Sequence, residues 1–285
     1  MLKQLFNRFR GAPSMELPGY VAMGMIREGS MAKIFKAKNQ ETGEIVAIKV
    51  LKPTAHRVVE KLEAHFRDFT EGQITASMDH PNVIKCFDHG QLGDLPYVVL
   101  EYLDGMTLGS LLGGDSSRLV GKRLGFLEQT AAGLAHVHTR RFVHHDFCAK
   151  NIFVTTQGRV KVIDFGLATP LLSQPSVISR LGTAEILAPE ILRREPSDYR
   201  VDIFAFGIVA YEVLTGHWPF ESSEVHQTPM LKVLNVKPVP VEKRVPAVPA
   251  EVATMIMRCL EKETAKRPTN LNAVVSILAR HGGAL

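Results

Sequence analysis

Cysteine is scarce in this chain. Cys86, Cys148 and Cys259 are its three cysteines, scattered along 285 residues. So odd and sparse a set excludes a disulfide framework and points to a reducing cytoplasm. Long apolar runs are also missing. No stretch reaches the roughly 18 consecutive apolar residues of a membrane-spanning helix, so none is expected. The opening residues, MLKQLFNRFRG, lack the apolar core of about 7 residues and the small-residue cleavage site that mark a secretory signal. There is no internal repeat. The net charge of +5 is not gathered into a basic stripe with interleaved aromatics, so nucleic acid is not an expected partner.

What remains is a globular composition. The chain is 45% hydrophobic, enough for a sizeable core. Its length fits about two ordinary domains or one two-lobed unit. Leu2, Leu5, Phe6 and Phe9 recur at helical spacing with basic residues between them, which predicts a short amphipathic helix. Such a helix packs on its own domain or docks weakly to a membrane surface or a partner through residues 1–10. Gly11-Ala12-Pro13-Ser14 reads as a linker.

The chemistry concentrates between Val143 and Gly166, VHHDFCAKNIFVTTQGRVKVIDFG. Ile152-Phe153-Val154 and Val160-Lys161-Val162-Ile163 read as two short strands, with Gly158 in the turn between them. Asp146 and Asn151 precede the first strand and Asp164 follows the second, so the hairpin brings three oxygen-bearing side chains near one point. Hard oxygen ligands without a Cys or His cluster suit Mg²⁺, which keeps phosphates among its ligands.

His-x-Asp-x-x-x-x-Asn followed by Asp-Phe-Gly resembles the signature of eukaryotic-type (Hanks-type) serine/threonine protein kinases, a template of known parts. The resemblance runs over roughly residues 19–281. Val46-Ala47-Ile48-Lys49, Ala188-Pro189-Glu190, the DIFAFG stretch from Asp202 and a late Arg267-Pro268-Thr269 extend it. It implies an α+β, two-lobed protein-kinase-like fold: a small, mainly antiparallel β lobe with helix C at 19–103, and a larger, mainly α lobe at 104–285. Residues 1–18 form an extension and linker. It implies ATP and Mg²⁺ as cofactors and a protein bearing Ser or Thr as substrate.

The resemblance also assigns roles. Gly29 lies in the loop covering the phosphates, although Arg27 and Ala32 replace its outer glycines. Lys49 is the strand-three lysine and Glu71, nine residues before His80, its helix-C partner. Ile34 and Ala47 pack on adenine from above and Phe153 from below. Leu100 is the gatekeeper, and the backbones of Glu101 and Leu103 hydrogen-bond adenine. Asp146 orients the acceptor hydroxyl and takes its proton. Asn151 and Asp164 hold metal, and Asp202 braces the catalytic loop. Arg267 pairs with Glu190.

Four further departures from the family stand out. His145 replaces the arginine that pairs with a phosphorylated activation loop. Cys148 replaces a lysine, as a packing residue or a reactive thiol. Lys150 supplies a cation in the tyrosine-kinase arrangement, where it would reach the transferring phosphate, while Gly182-Thr183 has the serine/threonine form. Thr75 stands where an aliphatic residue usually seats helix C.

Periodicity further predicts helices over 57–78, with Val58, Leu62, Phe66 and Phe69 on one face, over 107–112, over 119–139 with Val120 facing inward, and over 271–280. Strands are expected at 83–88 and 96–102, and an extended connector at 236–249. Two rival readings are a small-molecule kinase of the aminoglycoside or choline type and a pseudokinase-like scaffold with weak activity.

Overall fold

The structure is a computed structural model, and it describes residues 17–53, 69–114, 116–174, 183, 186–221 and 228–282. The expected amphipathic helix and linker at the N-terminus, and the first part of the expected helix over 57–78, lie outside the described residues. By internal contacts the chain divides into a smaller unit, Met1–His65 with Cys86–Tyr102, and a larger one, Phe66–Lys85 with Leu103–Leu285. The smaller is β-rich and the larger mainly helical, the two-lobed α+β architecture that the motifs imply. Among the described residues no helix is long and apolar enough to cross a membrane.

The described strands of the smaller unit form one antiparallel sheet. Strands β1 (Tyr20–Glu28), β2 (Ala32–Asn39), β3 (Ile45–Leu51), β4 (Cys86–Leu92) and β5 (Leu95–Glu101) lie in the order β1-β2-β3-β5-β4. The β2–β3 turn is set by Asn39, whose Oδ1 accepts the Glu41 and Thr42 amides, and by Gly43 at φ +74°. β3 is central, and its run IVAIKVL is buried along nearly its whole length. Successive side chains point to opposite faces. Ala37, Val46, Ile48, Val50 and Val99 make the core on one face, closed by Tyr20, Leu92, Leu95 and Tyr97. β4 starts at Cys86, later than expected. The backbone just before it is already engaged, since Ile84 donates its amide to Val162 O and Asn82 O accepts from Val162. Val83 therefore makes only an isolated bridge to Val162.

The larger unit begins with α1 (Glu71–Ala76). The spacing predicted an unbroken helix through this point, but Thr70 is extended (φ −80°, ψ 162°) and caps α1. Its Oγ1 accepts the Gln73 amide while Gln73 Oε1 accepts the Thr70 amide. This capping box satisfies donors that a continuing helix would have used. Thr75 is buried at the expected aliphatic position and gives its hydroxyl to Glu71 O (2.7 Å).

A three-stranded sheet follows, β6 (Gly105–Thr107) beside β8 (Ile152–Thr155) beside β9 (Val160–Val162). The predicted hairpin is present, with Gly158 at φ +77° in its turn. Thr107 ends β6 and caps α2 (Leu108–Gly113), so that helix starts one residue after the expected position. α3 spans Arg123–Thr139. It starts later than predicted because Gly121 adopts φ +74° after a 3₁₀ turn at Ser116–Leu119, and Val120 points outward, 64% exposed. At Gly133 a Cβ would lie 2.5 Å from Asn82 O, so only glycine lets α3 approach the Asn82 loop.

β7 (Phe142–Val143) pairs with β10 (Thr169–Pro170). After α4 (Pro189–Arg193) comes α5 (Arg200–Thr215), buried on nearly every side and ended by Gly216 at φ +71°. α6 (Pro229–Asn235), α7 (Val241–Arg244), α8 (Ala250–Cys259) and α9 (Asn272–Arg280) complete the unit. α7 interrupts the connector expected to be extended, with Pro240 placed just before its first turn.

Candidate active site

The catalytic-loop candidates sit between β7 and β8. Asp202, 1% exposed near the start of α5, organises them. Its Oδ2 accepts the His144 amide at 2.8 Å and its Oδ1 the His145 amide at 2.9 Å. A hydrogen bond at 2.9 Å also joins Oδ2 to His138 Nε2. Burial alone would raise the Asp202 carboxyl. The bond to His138 and the fields of His138, His145 and His144 outweigh it and hold the group below the usual carboxylate range. His145 needs this support, because its φ is +62°, a left-handed conformation that favours glycine.

Asp146 follows directly. Its Oδ1 accepts both the amide and the hydroxyl of Thr183, each at 2.9 Å. Its Oδ2 and its carbonyl accept the two bonds given by Asn151 Nδ2, at 2.9 and 2.8 Å. The carboxylate is therefore oriented from two sides. Asn151, buried, ends a 3₁₀ turn, Ala149–Asn151. Its carbonyl accepts the Ile163 amide, which registers Asn151 against the end of β9. Asp164 comes one residue later at φ +65°, with its Oδ1 accepting from Gly166 N–H (3.3 Å). Asp146, Asn151 and Asp164 thus sit within one short loop system. Among the described residues no group of three or more His, Cys, Asp or Glu side chains could hold a metal ion. A carboxylate beside an amide oxygen fits Mg²⁺, which takes its remaining ligands from water and phosphates.

Lys150 is exposed, and its ammonium makes no ion pair among the described residues. Cys148 is buried. Burial, aided by Asp146, pushes its thiol above the ordinary value, which favours a packing role over a reactive thiol. Phe153 lies half-buried on β8, opposite Thr107 and Lys161. Glu71 opens α1, and Leu103 is half-buried just past β5.

The remaining candidates belong to the smaller unit. Ile34 pairs across the sheet with Lys49, and Lys49 with Val98; Lys36 pairs with Ala47, and Ala47 with Leu100. Since 47 and 49 share a pleat direction, Ile34, Ala47, Lys49 and Leu100 occupy one face, opposite the core face. This surface of small and branched apolar groups, with Lys36 and Lys49 on the same face, fits a flat base carrying phosphates. Lys49 is 8% exposed, a burial that calls for an anionic partner. Glu101 closes β5 opposite Val46. Gly29 donates its amide to Ala32 O (2.9 Å). A Cβ there would meet nothing nearer than Ala32 O at 3.6 Å, so the missing side chain leaves backbone open rather than relieving a clash.

Sequence reasoning overlooked His138, His144 and Thr169. His144 is fully buried, and its Nε2 bonds Ile163 O at 3.2 Å. The doubled histidine was a visible signal; nothing in the pattern marked Thr169.

Residues 20–278 match the family model described as protein kinase domain. A serine/threonine-protein kinase of Bacillus subtilis, PrkC, is 34% identical over 246 residues, covering 86% of this chain and 37% of that protein. A probable serine/threonine-protein kinase of Clostridium acetobutylicum is 33% identical over 258 residues, 88% of this chain and 38% of the relative. Serine/threonine-protein kinase 1 of Arabidopsis thaliana is 30% identical over 252 residues, 88% of this chain and 29% of the relative. The chain spans less than two-fifths of the length of these relatives. It belongs to the protein kinase family, and the kin it matches are kinases of the serine/threonine type.

Proposed function

We propose that the chain transfers the γ-phosphate of ATP, with Mg²⁺, to serine or threonine hydroxyls of a protein substrate in the cytoplasm. The observation that carries this reading is the fixed carboxylate of Asp146, gripped by Thr183 and Asn151. A carboxylate so held can orient an acceptor hydroxyl and accept its proton. Asn151 and Asp164 would hold Mg²⁺, which when bound supplies positive charge to the phosphates. Lys49, with Glu71 as its partner, would bind the phosphates, Gly29 would let them approach the loop's backbone, and Lys150 would reach the transferring group. Ile34, Ala47, Leu100 and Phe153 would enclose adenine, and the main chain of Glu101 and Leu103 would hydrogen-bond it. Catalysis by such a site is positioning and charge neutralisation. Residues 1–10 would serve as a docking tag.

The peptide-docking interpretation is supported against the small-molecule alternative by Glu190 and Arg267. They form a buried bidentate pair at 2.6 and 2.7 Å beneath the segment that carries Ala188 and Pro189. The test is transfer of labelled γ-phosphate to the protein itself and to a generic basic protein, with and without Mg²⁺. Asp164→Ala is the control, and phosphoamino-acid analysis follows. Mg²⁺-dependent label on Ser or Thr, absent in the control, is the expected result. Label on Tyr would overturn the acceptor assignment, and ATP turnover without protein label would move the reading to a small-molecule substrate.

A further inference from the structure

His145 faces the segment that follows Asp164. Its Nε2 shares a 2.9 Å hydrogen bond with Thr169 Oγ1, twenty-four residues away. Its own amide is held by Asp202, and its neighbour His144 reaches Ile163 O. Thr169 lies in β10, where it pairs with Val143, and Leu171 N–H donates to Arg141 O at 2.7 Å. One dipeptide, His144-His145, therefore touches α5, the residue before Asp164 and the first residue of β10. Beside the ring is a cavity of about 20 Å³, lined also by Ile186, Ala188, Val201 and Asp202. That is room for about one water and not for a larger side chain.

We infer that His145 is a positioning residue that clamps the start of the segment after Asp164 through Thr169, so that this strap is held by a side-chain hydrogen bond and needs no phosphate. The strap in turn steadies the Asp164 turn that it follows, a role that rests on the kinase reading above. Desolvation lowers the ring's pKa to about 4, against the pull of Asp202 and with His144 and His138 adding to the shift, so the imidazole is uncharged at neutral pH. An uncharged ring has no ionic claim on a phosphate, and Thr169 already occupies it.

The test uses the full chain after phosphatase treatment, as wild type, Thr169→Val and Thr169→Ser. Valine keeps the shape of threonine and removes the oxygen, while serine restores it. The expected result is amide exchange in the 167–173 peptide about tenfold faster in Thr169→Val than in wild type or Thr169→Ser, with the α5 amides unchanged. The kcat of Thr169→Val falls about fivefold with the KM for ATP unchanged, and serine rescues it. Equal exchange in all three proteins, or a dephosphorylated wild type that loses both the protection and the activity, would overturn the inference. Exchange needs no transferase activity. An inactive wild type with a protected strap would therefore count against the kinase reading and leave the clamp standing.

Discussion

Thr183 gives both its amide and its hydroxyl to a single oxygen of Asp146, each at 2.9 Å. The other oxygen of that carboxylate is taken by Asn151. A group held from both sides cannot swing away from an acceptor, and changing its chemistry without its shape should separate turnover from binding.

Asp146→Asn keeps the volume and removes the base. Turnover should fall by a factor of about 10² to 10⁴. The rise in melting temperature caused by ATP with Mg²⁺ should persist, because a ligand of the folded state stabilises by mass action. Phosphate transfer and thermal shift measured on one preparation check both halves. Equal turnover in the mutant would remove Asp146 as the base.

The His145 ring predicts acid sensitivity. Its folded pKa is lowered from 6.5 to about 4. Below pH 6.5 the unfolded chain takes up a proton that the folded chain refuses. Stability is therefore lost as pH falls from about 6.5 to about 4, by at most about 3 kcal/mol from this group. Urea midpoints at pH 7, 5.5 and 4.5 should show a smaller decline in His145→Asn than in wild type. Asparagine is the control because it tolerates left-handed backbone.

Glu190 and Arg267 are both almost wholly buried, at 3% and 1% exposure. Arg267→Met leaves a carboxylate without its counter-charge and should destabilise the larger unit by about 3 to 5 kcal/mol. The double change Glu190→Gln with Arg267→Met should recover part of that loss. Denaturant titration of both variants measures it, and equal midpoints for the two would show that the charge left behind was not the cause.

Cys86 is half-buried, whereas Cys148 and Cys259 are buried with their thiols pushed upward, Cys259 to about 12. Iodoacetamide at pH 7.5 should label Cys86 first, with the other two reacting only on unfolding. Peptide mapping over time reads the order, and early labelling of Cys148 would make it a reactive thiol instead of a packing residue.

The local geometry of the candidate site could be read from spacing, because its parts are close in the chain. Asp146 and Asn151 are joined by one 3₁₀ turn, and the hairpin after them has β-branched strands with glycine at its bend. The failures come from contacts that leave no period. The apolar spacing runs unbroken through Thr70, yet the exchange between Thr70 and Gln73 starts a helix there. Val120 fits the stripe of α3 but falls before it, cut off by the left-handed Gly121. His145 and Thr169 meet through a fold that neither residue announces.

The Glu190–Arg267 pair also bears on how the protein is made. The two residues are 77 positions apart in the chain. At about 5 to 20 residues per second, a ribosome that has just added Glu190 needs roughly 4 to 15 s to supply its counter-ion. Until then the surroundings of Glu190 cannot close without stranding a charge. The larger unit should therefore not complete its fold until Arg267 has been made. Nascent chains stalled before residue 267 should be the protease-sensitive, chaperone-bound species, and those carried well past it should not.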